Sequence, residues 1–570
     1  MAEAVVTAGA TGGTASASGG GSSGGGAPVA GASAAPYTSG GREPGRACAT
    51  ASVWLGDLTL NQQDDVERHR GLARVAGSLR ISGDVRDLAP LACLASIERD
   101  LSLFELTELE SLNGLETLRS IGRDLELRDN PRLDSLNALS SLKSLGGALY
   151  LSDNPRLAAL TGLGGISGLR GLGIYKNDAL NSLQGLPVIQ SLEAGLTVSN
   201  NANLTSLAAL TGLGSVGTDL TLSDNPRLER LTGLDGLTQV GGDLQLGNNA
   251  QLHDLGALAK LRDIRGALAV FGNPRLKQLD GLTGVGEVLT LTVSENESLL
   301  SLTGLSSLRR VVSRVYVHDN AALTNLDGLS GVEGASDLEI SDNPALVQID
   351  GMSGLRALSG GADVSRNAAL ASLDGLRNLV EVGGDLSIEG NPRLSNVDGL
   401  SSLMRVGSLH LKDNTALRSL LGLSRLTYAD SIVLEGLPVQ DLAGFGGLSR
   451  LNGSLTLTRD PNLTDLSGLG KLASVAGNVV IAADAHLVDL QGLPNLARIG
   501  GDFVVESNPK LERLESLWSL AWIGGAFTVR DNPSLPACEP EQLRNQIGAS
   551  NIQGPVLMSG NNGQGRCGLL

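Results

Sequence analysis

The sequence predicts a mainly β protein built as a single right-handed parallel β-solenoid of about 21 coils. Two observations support this prediction. A unit of 23 or 24 residues recurs from about residue 58 to residue 540 of the 570-residue chain. Each unit alternates apolar and polar residues over a short segment and then places an apolar residue at every third position. Because one unit alone cannot bury its leucines, neighbouring units must stack to close a core.

Residues 122–145 show the parts of one unit in order. Leu125 and Leu127 have the period of two that is typical of a strand with one apolar side. The leucines of residues 133–145 then step by three, which favours short extended or 3₁₀ segments over an α-helix. Paired glycines such as Gly146 and Gly147 precede many strands, and they allow a corner in which a Cβ would be crowded.

One position of the unit is an asparagine in coil after coil, and we call this set the asparagine column. An asparagine at the end of a strand tolerates a tight turn, and its buried amide can bond backbone groups that the turn leaves unpaired. We therefore interpret the column as structural. Other residues interrupt it at Leu106, Leu437, Asp460 and Asp484, where weaker or differently bonded turns are expected. The column comprises Asn130, Asn154, Asn177, Asn201, Asn225, Asn249, Asn273, Asn296, Asn320, Asn343, Asn367, Asn391, Asn414, Asn508 and Asn532.

Composition excludes several classes of partner. The net charge of −17 and the pI near 4.8 argue against nucleic acid or an anionic membrane. The small basic group Arg309, Arg310 and Arg314 is interpreted as a solvated surface. No run of 18 apolar residues is present, so no transmembrane segment is predicted. Aromatic residues make up 2% of the chain, which predicts a core of leucine, valine, isoleucine and alanine.

The chain is predicted to divide into four parts. Residues 1–47 are rich in Gly, Ser and Ala and form a disordered tether; they lack the charged and apolar regions of a signal peptide, so none is visible. Residues 48–97 form the N-terminal cap and first degenerate coils, residues 98–535 the repeat solenoid, and residues 536–570 the C-terminal cap. A short helix is expected within the last part, over residues 540–546.

The four cysteines lie in pairs at the two ends of the repeat. A solenoid exposes strand edges and apolar surface at both ends, and a disulfide can hold a small cap over them. Metal sites need closer ligand spacing and histidine partners, so disulfides are favoured: Cys48 with Cys93, and Cys538 with Cys567. Such bonds favour an oxidising location, either extracellular or in the cell envelope, at the surface or in the periplasm.

The repeat resembles the receptor L-domain branch of leucine-rich-repeat-like proteins. The resemblance is visible at residues 244–249, LQLGNN, and at residues 386–391, LSIEGN. The apolar residue after the asparagine falls at the third position, as in Asn130 to Leu133, whereas ordinary leucine-rich repeats have it at the second. Residues 85–97 and 538–567 look like the caps of bacterial secreted proteins of this kind. The resemblance implies a cell-surface or secreted recognition protein and carries over no catalytic residue.

Signals for enzymatic chemistry are weak throughout. The five histidines lie in separate coils, and none has a second histidine at metal-ligand spacing. Neither match to G-x-G-x-x-G leads from a strand into a helix, so neither predicts a dinucleotide site. Aspartates before the asparagine column are interrupted by other residues, which favours solvated turns over a calcium ladder. We therefore expect no metal site, no cofactor and no enzymatic activity.

The outward strand positions carry the candidate binding residues. These positions are mostly small and polar, so larger side chains among them are notable. Scattered surface aromatics are the competing interpretation. The candidates are Tyr150, Tyr175, Phe271, Tyr316, His318 and His410.

The function predicted from these observations is recognition without catalysis. The protein is expected to bind a protein or glycan partner through one face of the solenoid. The alternative is a structural spacer or adhesin stalk, in which the repeats supply length alone. Clustered aromatics on the outward face would favour recognition, whereas a uniformly polar face in every coil would favour the spacer.

Overall fold

The computed structural model describes residue 48, residues 52–564 and residue 567. The predicted tether, residues 1–47, lies outside this range. The rest forms a parallel β-solenoid in which each coil contributes one strand to a long sheet, the first ladder, and every pairing in that sheet is parallel. The fold class predicted from the repeat is confirmed. The strands of the first ladder are Leu58–Gln62, Leu79–Asp84, Leu101–Phe104, Leu125–Arg128, Ala148–Ser152, Gly171–Tyr175, Leu196–Ser199, Leu220–Ser223, Leu244–Gly247, Leu268–Phe271, Leu291–Ser294, Arg314–His318, Asp337–Ser341, Ala362–Ser365, Leu386–Glu389, Arg405–Lys412, Tyr428–Glu435, Leu455–Thr458, Val479–Ala482, Phe503–Glu506, Phe527–Arg530 and Val556–Ser559.

A second ladder of shorter parallel strands precedes the first within most coils. Arg405–Lys412 and Tyr428–Glu435 run through both ladders without a corner. The second ladder is interrupted three times in the described residues: between Ser144–Leu145 and Ser191–Leu192, between Asp263–Ile264 and Glu287–Val288, and between Arg310–Val311 and Gly334–Ala335. Its remaining strands are Ser52–Trp54, Leu72–Val75, Ser96–Ile97, Ser120–Ile121, Ser215–Val216, Gln239–Val240, Ala357–Leu358, Glu381–Val382, Arg450–Leu451, Ser474–Val475, Arg498–Ile499 and Trp522–Ile523.

Short 3₁₀ segments form the third side of many coils, as the step of three predicts. The α-helices of the described chain are Gln63–Arg68 and Cys538–Ile547; the second extends beyond the expected residues 540–546 at both ends. None of the described helices is long and apolar enough to cross a membrane. The 3₁₀ segments are Ala89–Leu91, Asn137–Ser141, Ala208–Leu210, Gly256–Leu258, Asp280–Leu282, Thr303–Leu305, Asp327–Leu329, Asp350–Met352, Asp374–Leu376, Asp398–Leu400, Leu421–Leu423, Ala443–Phe445, Ser467–Leu469, Glu515–Leu517 and Ala549–Asn551.

The core is a stack of leucine rows. In one representative coil, Leu244, Leu246, Leu252, Leu258 and Leu261 have no accessible surface. Burying a leucine side chain stabilises a fold by about 1.5–3 kcal/mol, and each coil repeats that contribution. Because one coil covers the leucines of the next, the hydrophobic core is continuous along the ladder.

Three phenylalanines correct the expectation of a core without rings. Phe445, Phe503 and Phe527 are fully buried. Phe503 and Phe527 are paired in register on neighbouring strands, and their ring centroids lie 5.7 Å apart. They occupy the first strand position, which is leucine in most coils. The core accommodates these two rings on adjacent coils because each ring packs against the other.

The asparagine column joins each coil to the next through side-chain hydrogen bonds. Asn249 has no accessible surface, and its Nδ2 donates to the carbonyl oxygens of Leu222 (2.9 Å) and Gly247 (2.8 Å). Its Oδ1 accepts the backbone N–H of Asn225 in the preceding coil at 3.1 Å. Its own backbone N–H donates to Oδ1 of Asn273 in the following coil, also at 3.1 Å. The amide thus satisfies polar groups of two coils at once.

The residue before the asparagine adopts the left-handed backbone conformation that makes the turn. Asp129, Asp224 and Asn248 have φ of 53°, 55° and 54°, in the left-handed region, and Gly272 has φ of 63°. The same conformation recurs in coil after coil, although most of these residues are not glycine. Aspartate and asparagine tolerate it better than other side chains do. Asn249 itself does not adopt it, so the column asparagine acts through its amide and not through its backbone.

The paired glycines allow the backbones of neighbouring coils to approach closely. A Cβ built on Gly241 would lie 2.0 Å from the carbonyl oxygen of Gly217, and one on Gly500 would lie 2.1 Å from that of Ala476. These distances leave no space for a side chain. The first glycine of the pair, which we call the corner glycine, therefore lets successive corners stack closely.

Disulfides close both ends of the solenoid. Cys48 bonds to Cys93, with Cα atoms 5.4 Å apart, and Cys538 bonds to Cys567, with Cα atoms 6.1 Å apart. The first ties the start of the described chain to the earliest coils. The second ties the C-terminal helix to the segment that follows the last strand of the first ladder.

Two aspartates replace asparagines in the column. Asp460 and Asp484 have no accessible surface, and Oδ1 of each accepts a backbone N–H from the preceding coil, from Leu437 at 2.8 Å and from Asp460 at 2.9 Å. Oδ2 of each is buried without a hydrogen-bond partner. Burial raises the pKa of Asp460 to about 8, with Asp484 and Glu435 adding to the shift, and burial raises the pKa of Asp484 to about 7. When protonated on Oδ2, each acid carries an O–H at the position where other coils have the Nδ2 group of asparagine.

Replacing Asn249 by alanine tests the column. The change leaves the carbonyl groups of Leu222 and Gly247 and the N–H of Asn225 without their partner. We expect Asn249→Ala to lower the free energy of unfolding by about 1–3 kcal/mol in urea denaturation. Asn181→Ala, at an exposed position, is the matched control and should change stability by less than about 0.5 kcal/mol. Equal, negligible losses in both variants would show that the column does not organise the turns.

The buried acids predict a specific dependence of stability on pH. Their pKa values in the folded protein lie above the ordinary value of 3.8, so between about pH 4 and pH 8 the folded state binds more protons than the unfolded state. Stability therefore falls as pH rises through this window. Asp460→Asn/Asp484→Asn should remove this loss and be more stable than wild type at pH 8 by about 1–3 kcal/mol, with a smaller difference at pH 5.

The control for the pH experiment is Asp134→Asn, an exposed change that should leave the pH profile of the melting temperature unaltered. Parallel pH profiles for wild type and the double asparagine variant would contradict the assignment of protonated acids to the column.

Candidate functional site

The outward face of the first ladder presents two rows of side chains, because alternate residues of a strand point to opposite sides. Row one contains the second residue of each four-residue strand, such as Thr221, Gln245 and Ala269, which are paired in register. Row two contains the fourth, such as Ser223, Gly247 and Phe271. All six candidates chosen from the sequence lie in these rows: Tyr150, Tyr316 and His410 in row one, and Tyr175, Phe271 and His318 in row two.

Two of the candidates converge on one glycine. Tyr150 and Tyr175 lie on neighbouring strands, and Gly173 is the register partner of Tyr150. A Cβ built on Gly173 would lie 2.7 Å from Cε2 of Tyr175 and 2.8 Å from Cδ1 of Tyr150. Both rings therefore lie against the bare backbone of Gly173. We call Tyr150, Gly173 and Tyr175 the tyrosine pair.

Charged groups surround Tyr150. Burial raises the pKa of Tyr150, and the negative charges of Asp124 and Glu126 act in the same direction. The ring nevertheless remains 40% exposed. A groove of about 630 Å³ opens beside it, and its lining includes carboxylates and guanidinium groups: Arg80, Asp100, Arg123, Asp124, Glu126 and Arg170. An exposed ring next to hydrogen-bonding charges is typical of a binding surface.

Phe271 forms a separate aromatic position. Its ring leans over Gly247 on the preceding strand, because a Cβ on that glycine would lie 2.2 Å from Cζ of the ring. The absent side chain at Gly247 thus makes room for the ring, as Gly173 does for the tyrosines. The strand of Phe271 lies four strands after that of Tyr175, which places it roughly 19 Å along the ladder.

Tyr316 and His318 share one strand and are held by charged neighbours. The Tyr316 hydroxyl accepts a hydrogen bond of 2.8 Å from Nη1 of Arg314. Arg314 also lies 3.4 Å from the carboxylate of Asp337 on the next strand. Nδ1 of His318 lies 2.9 Å from Oδ2 of Asp319. This group is polar and fixed by its own contacts, whereas the tyrosine pair presents more ring surface.

His410 stands apart from the other candidates. It lies in row one between Ser387 and Val433. The structure therefore brings four of the six candidates together as two pairs and leaves Phe271 and His410 apart. The residues do not form one continuous aromatic patch.

The sequence reasoning missed an aliphatic row in the C-terminal third of the face. There, row one consists of β-branched or aliphatic residues on six consecutive strands, and Leu557 at its end is 51% exposed. The sequence does contain this pattern, since the residues occur at the same position of consecutive units. It was missed because only single large side chains at this position were considered. The row comprises Val433, Thr456, Val480, Val504, Thr528 and Leu557.

An acidic group in the middle of the face was also missed. Asp363 lies next to Glu339 in row one, and Glu389 follows in row two. Burial raises the pKa of Asp363, and both glutamates contribute to the rise. No group of three or more His, Cys, Asp or Glu side chains suited to a metal ion occurs among the described residues.

Comparisons with known proteins identify similar solved structures only. No protein-family model matches the chain, and no curated protein matches it. A TLR13–ssRNA13 complex is 15% identical, with a TM-score of 0.34, and the match covers 87% of this chain and 68% of that one. An internalin, InlF, from Listeria monocytogenes is 15% identical, with a TM-score of 0.28, covering 68% of this chain and 86% of that one. A leucine-rich-repeat protein of Leptospira interrogans is 16% identical, with a TM-score of 0.28, covering 79% and 95%.

The leucine-rich-repeat-like architecture is read from the coils, ladders and leucine rows of the chain itself. At this identity and these TM-scores, the similar structures carry no argument about what the protein binds.

Proposed function

We propose that this protein is a non-enzymatic recognition protein of the cell exterior or cell envelope, and that it binds a protein or glycan partner through the outward face of the first ladder. The tyrosine pair is the observation that supports this proposal. It places two rings side by side on a face whose other positions are mostly small. Aromatic side chains contribute large contact areas at little entropic cost and are enriched at binding hot spots.

The groove beside Tyr150 favours a glycan over a flat protein surface as the partner of this part of the face. Asp124, Glu126 and Arg170 offer acceptors and donors next to an exposed ring. Its volume of about 630 Å³ lies within the range of pockets that hold small ligands. A sugar ring stacked on Tyr150 would place its hydroxyl groups near these charges.

The proposed location rests on the two disulfides. Such bonds persist in oxidising compartments and are rare in reducing ones. The spacer alternative is supported by the stretch from Thr197 to Gln245, where row one holds small or polar residues on three consecutive strands. If a folded variant without the tyrosine pair bound as well as wild type, the spacer alternative would be favoured.

Removing the rings of the tyrosine pair tests the proposal. A glycan array probed with wild-type protein identifies a ligand, and Tyr150→Ser/Tyr175→Ser should then bind it at least tenfold more weakly, about 1.4 kcal/mol. The melting temperature should change little, because outward side chains do not support the leucine core. Phe271→Ser removes an outward ring elsewhere on the face and is the matched control. Unchanged binding by the folded double variant would remove the tyrosine pair as the site.

A second variant tests the arrangement of the rings and not their presence. Gly173→Ala places a Cβ within 2.8 Å of both rings and must displace them. We expect weaker binding of the same glycan with both tyrosines still present. Wild-type affinity in Gly173→Ala would show that the side-by-side geometry is unimportant.

The proposed oxidising location is tested by whether the cysteines are joined in disulfides. Non-reducing peptide mapping of protein taken from its native compartment should find Cys48 joined to Cys93 and Cys538 joined to Cys567. Free thiols at all four positions would contradict the proposed oxidising location, although the solenoid itself would still stand.

A further inference from the structure

The column of corner glycines is interrupted on five consecutive coils, and the last two of these carry Ser336 and Ser359. Arg265, Leu289 and Val312 occupy the position that is Gly217 and Gly241 in the two preceding coils. At Gly241 a Cβ would lie 2.0 Å from the backbone of the coil before it, so the close stacking seen there cannot accommodate a side chain. These three corners carry side chains where the two before them have none, and backbone hydrogen bonds of 3.1 Å still join Arg265 to Val240 and Val312 to Val288.

The second ladder breaks at the same place. Asp263–Ile264 ends one sheet, and Glu287–Val288 pairs with Arg310–Val311 in another. A Cβ built on Gly286, between the two sheets, would meet no atom within 4 Å. A groove of about 800 Å³ opens here. We call it the basic groove, and its charged lining is Arg262, Asp263, Arg265, Glu287, Arg309 and Arg310.

The basic groove combines positive charge with exposed aliphatic surface. Its arginines outnumber its carboxylates in a protein whose net charge is −17. Leu289 is 46% exposed and Val312 44% exposed, and both line the groove between the arginines. Exposed apolar side chains are unusual at the corner position, which carries Glu193 or Ser336 in other coils, so the apolar surface is local to the groove.

The arginines of the groove differ in whether their side chains already form hydrogen bonds or ion pairs. Arg262 and Arg309 donate to backbone carbonyl oxygens of their own coils, at 2.8 Å to Ala259 and 2.8 Å to Ser306. Arg310 lies 3.1 Å from Glu287 in an exposed pair, which a competing carboxylate can replace at little cost. The guanidinium of Arg265 has no ion-pair or hydrogen-bond partner among the described residues, whereas its backbone N–H donates to the carbonyl oxygen of Val240. Arg265 and Arg310 are therefore available to an incoming anion.

We propose that the basic groove binds an acidic peptide segment of a protein partner, one in which carboxylates alternate with aliphatic side chains. The carboxylates would pair with Arg265 and Arg310, since arginine binds carboxylate groups through parallel hydrogen bonds. The aliphatic side chains would cover Leu289 and Val312. This second requirement favours a peptide over a sulfated polysaccharide, which has no apolar side chains to place there. The basic groove lies on the second ladder, apart from the tyrosine pair, so the two proposals stand or fall separately.

The test measures fluorescence anisotropy with the full-length protein and a labelled peptide of alternating Glu and Leu. A peptide of alternating Gln and Leu tests the need for charge. We expect the acidic peptide to bind, to weaken as salt is raised, and to bind Arg265→Ser/Arg310→Ser at least tenfold more weakly. Arg356→Ser removes an exposed arginine beyond the groove and should bind as wild type does, as should Tyr150→Ser/Tyr175→Ser.

Three results would overturn the proposal. Equal affinity for the Gln–Leu peptide would remove the role of charge. Unchanged affinity in the folded double arginine variant, judged by its melting temperature, would remove the site. Binding of heparin through the same arginines, with no binding of the acidic peptide, would assign the basic groove to a polysaccharide instead.

Discussion

The hydrogen bonds of the asparagine column are the constraint on which the rest of the structure depends. Leucine burial drives the coils together, but it has no direction and does not set which turn lies over which. The column amides bond backbone groups of the coil before them and, in most coils, of their own coil, as Asn249 does with Leu222, Asn225 and Gly247. Because these groups are buried, a shift of register would leave them unpaired. The column therefore fixes the stacking that the leucines drive.

Because the leucines and the asparagine column hold the coils together, the side chains of the outward face are free to vary. Row one changes from Tyr150 to Thr221, and on to His410 and Val433, without altering the strand pairing beneath it. A residue on this face can therefore be selected for binding with little effect on stability. The corner is different, because Gly217 and Gly241 leave no space for a side chain. Larger residues at this position add surface to the corner, and Arg265, Leu289 and Val312 line the basic groove in this way.

The sequence was sufficient to predict the periodic part of the structure. Leucine spacing and Asn130 to Asn414 repeat in every unit, so the coil, its strands and its core follow from local pattern alone. The contacts between units were harder to predict. That Tyr150 and Tyr175 meet over Gly173 depends on register across coils of 23 and 24 residues. The grouping of arginines from two coils around Leu289 and Val312 depends on contacts between units, which no single unit reveals. The buried phenylalanines were missed because composition averages over the chain and does not show that Phe503 and Phe527 fall at the same core position of adjacent coils.

The most direct test of the central role of the column is native-state hydrogen exchange of the turn amides. The backbone N–H groups of Asn225 and Asn249 are turn amides, yet each donates to a buried side-chain oxygen of the next coil. If the column holds the coils in register, these amides should exchange as slowly as those of the neighbouring strand Leu244–Gly247. Exchange at the rate of exposed loop amides, while the strand remains protected, would show that the leucine core alone maintains the stacking and would contradict this account.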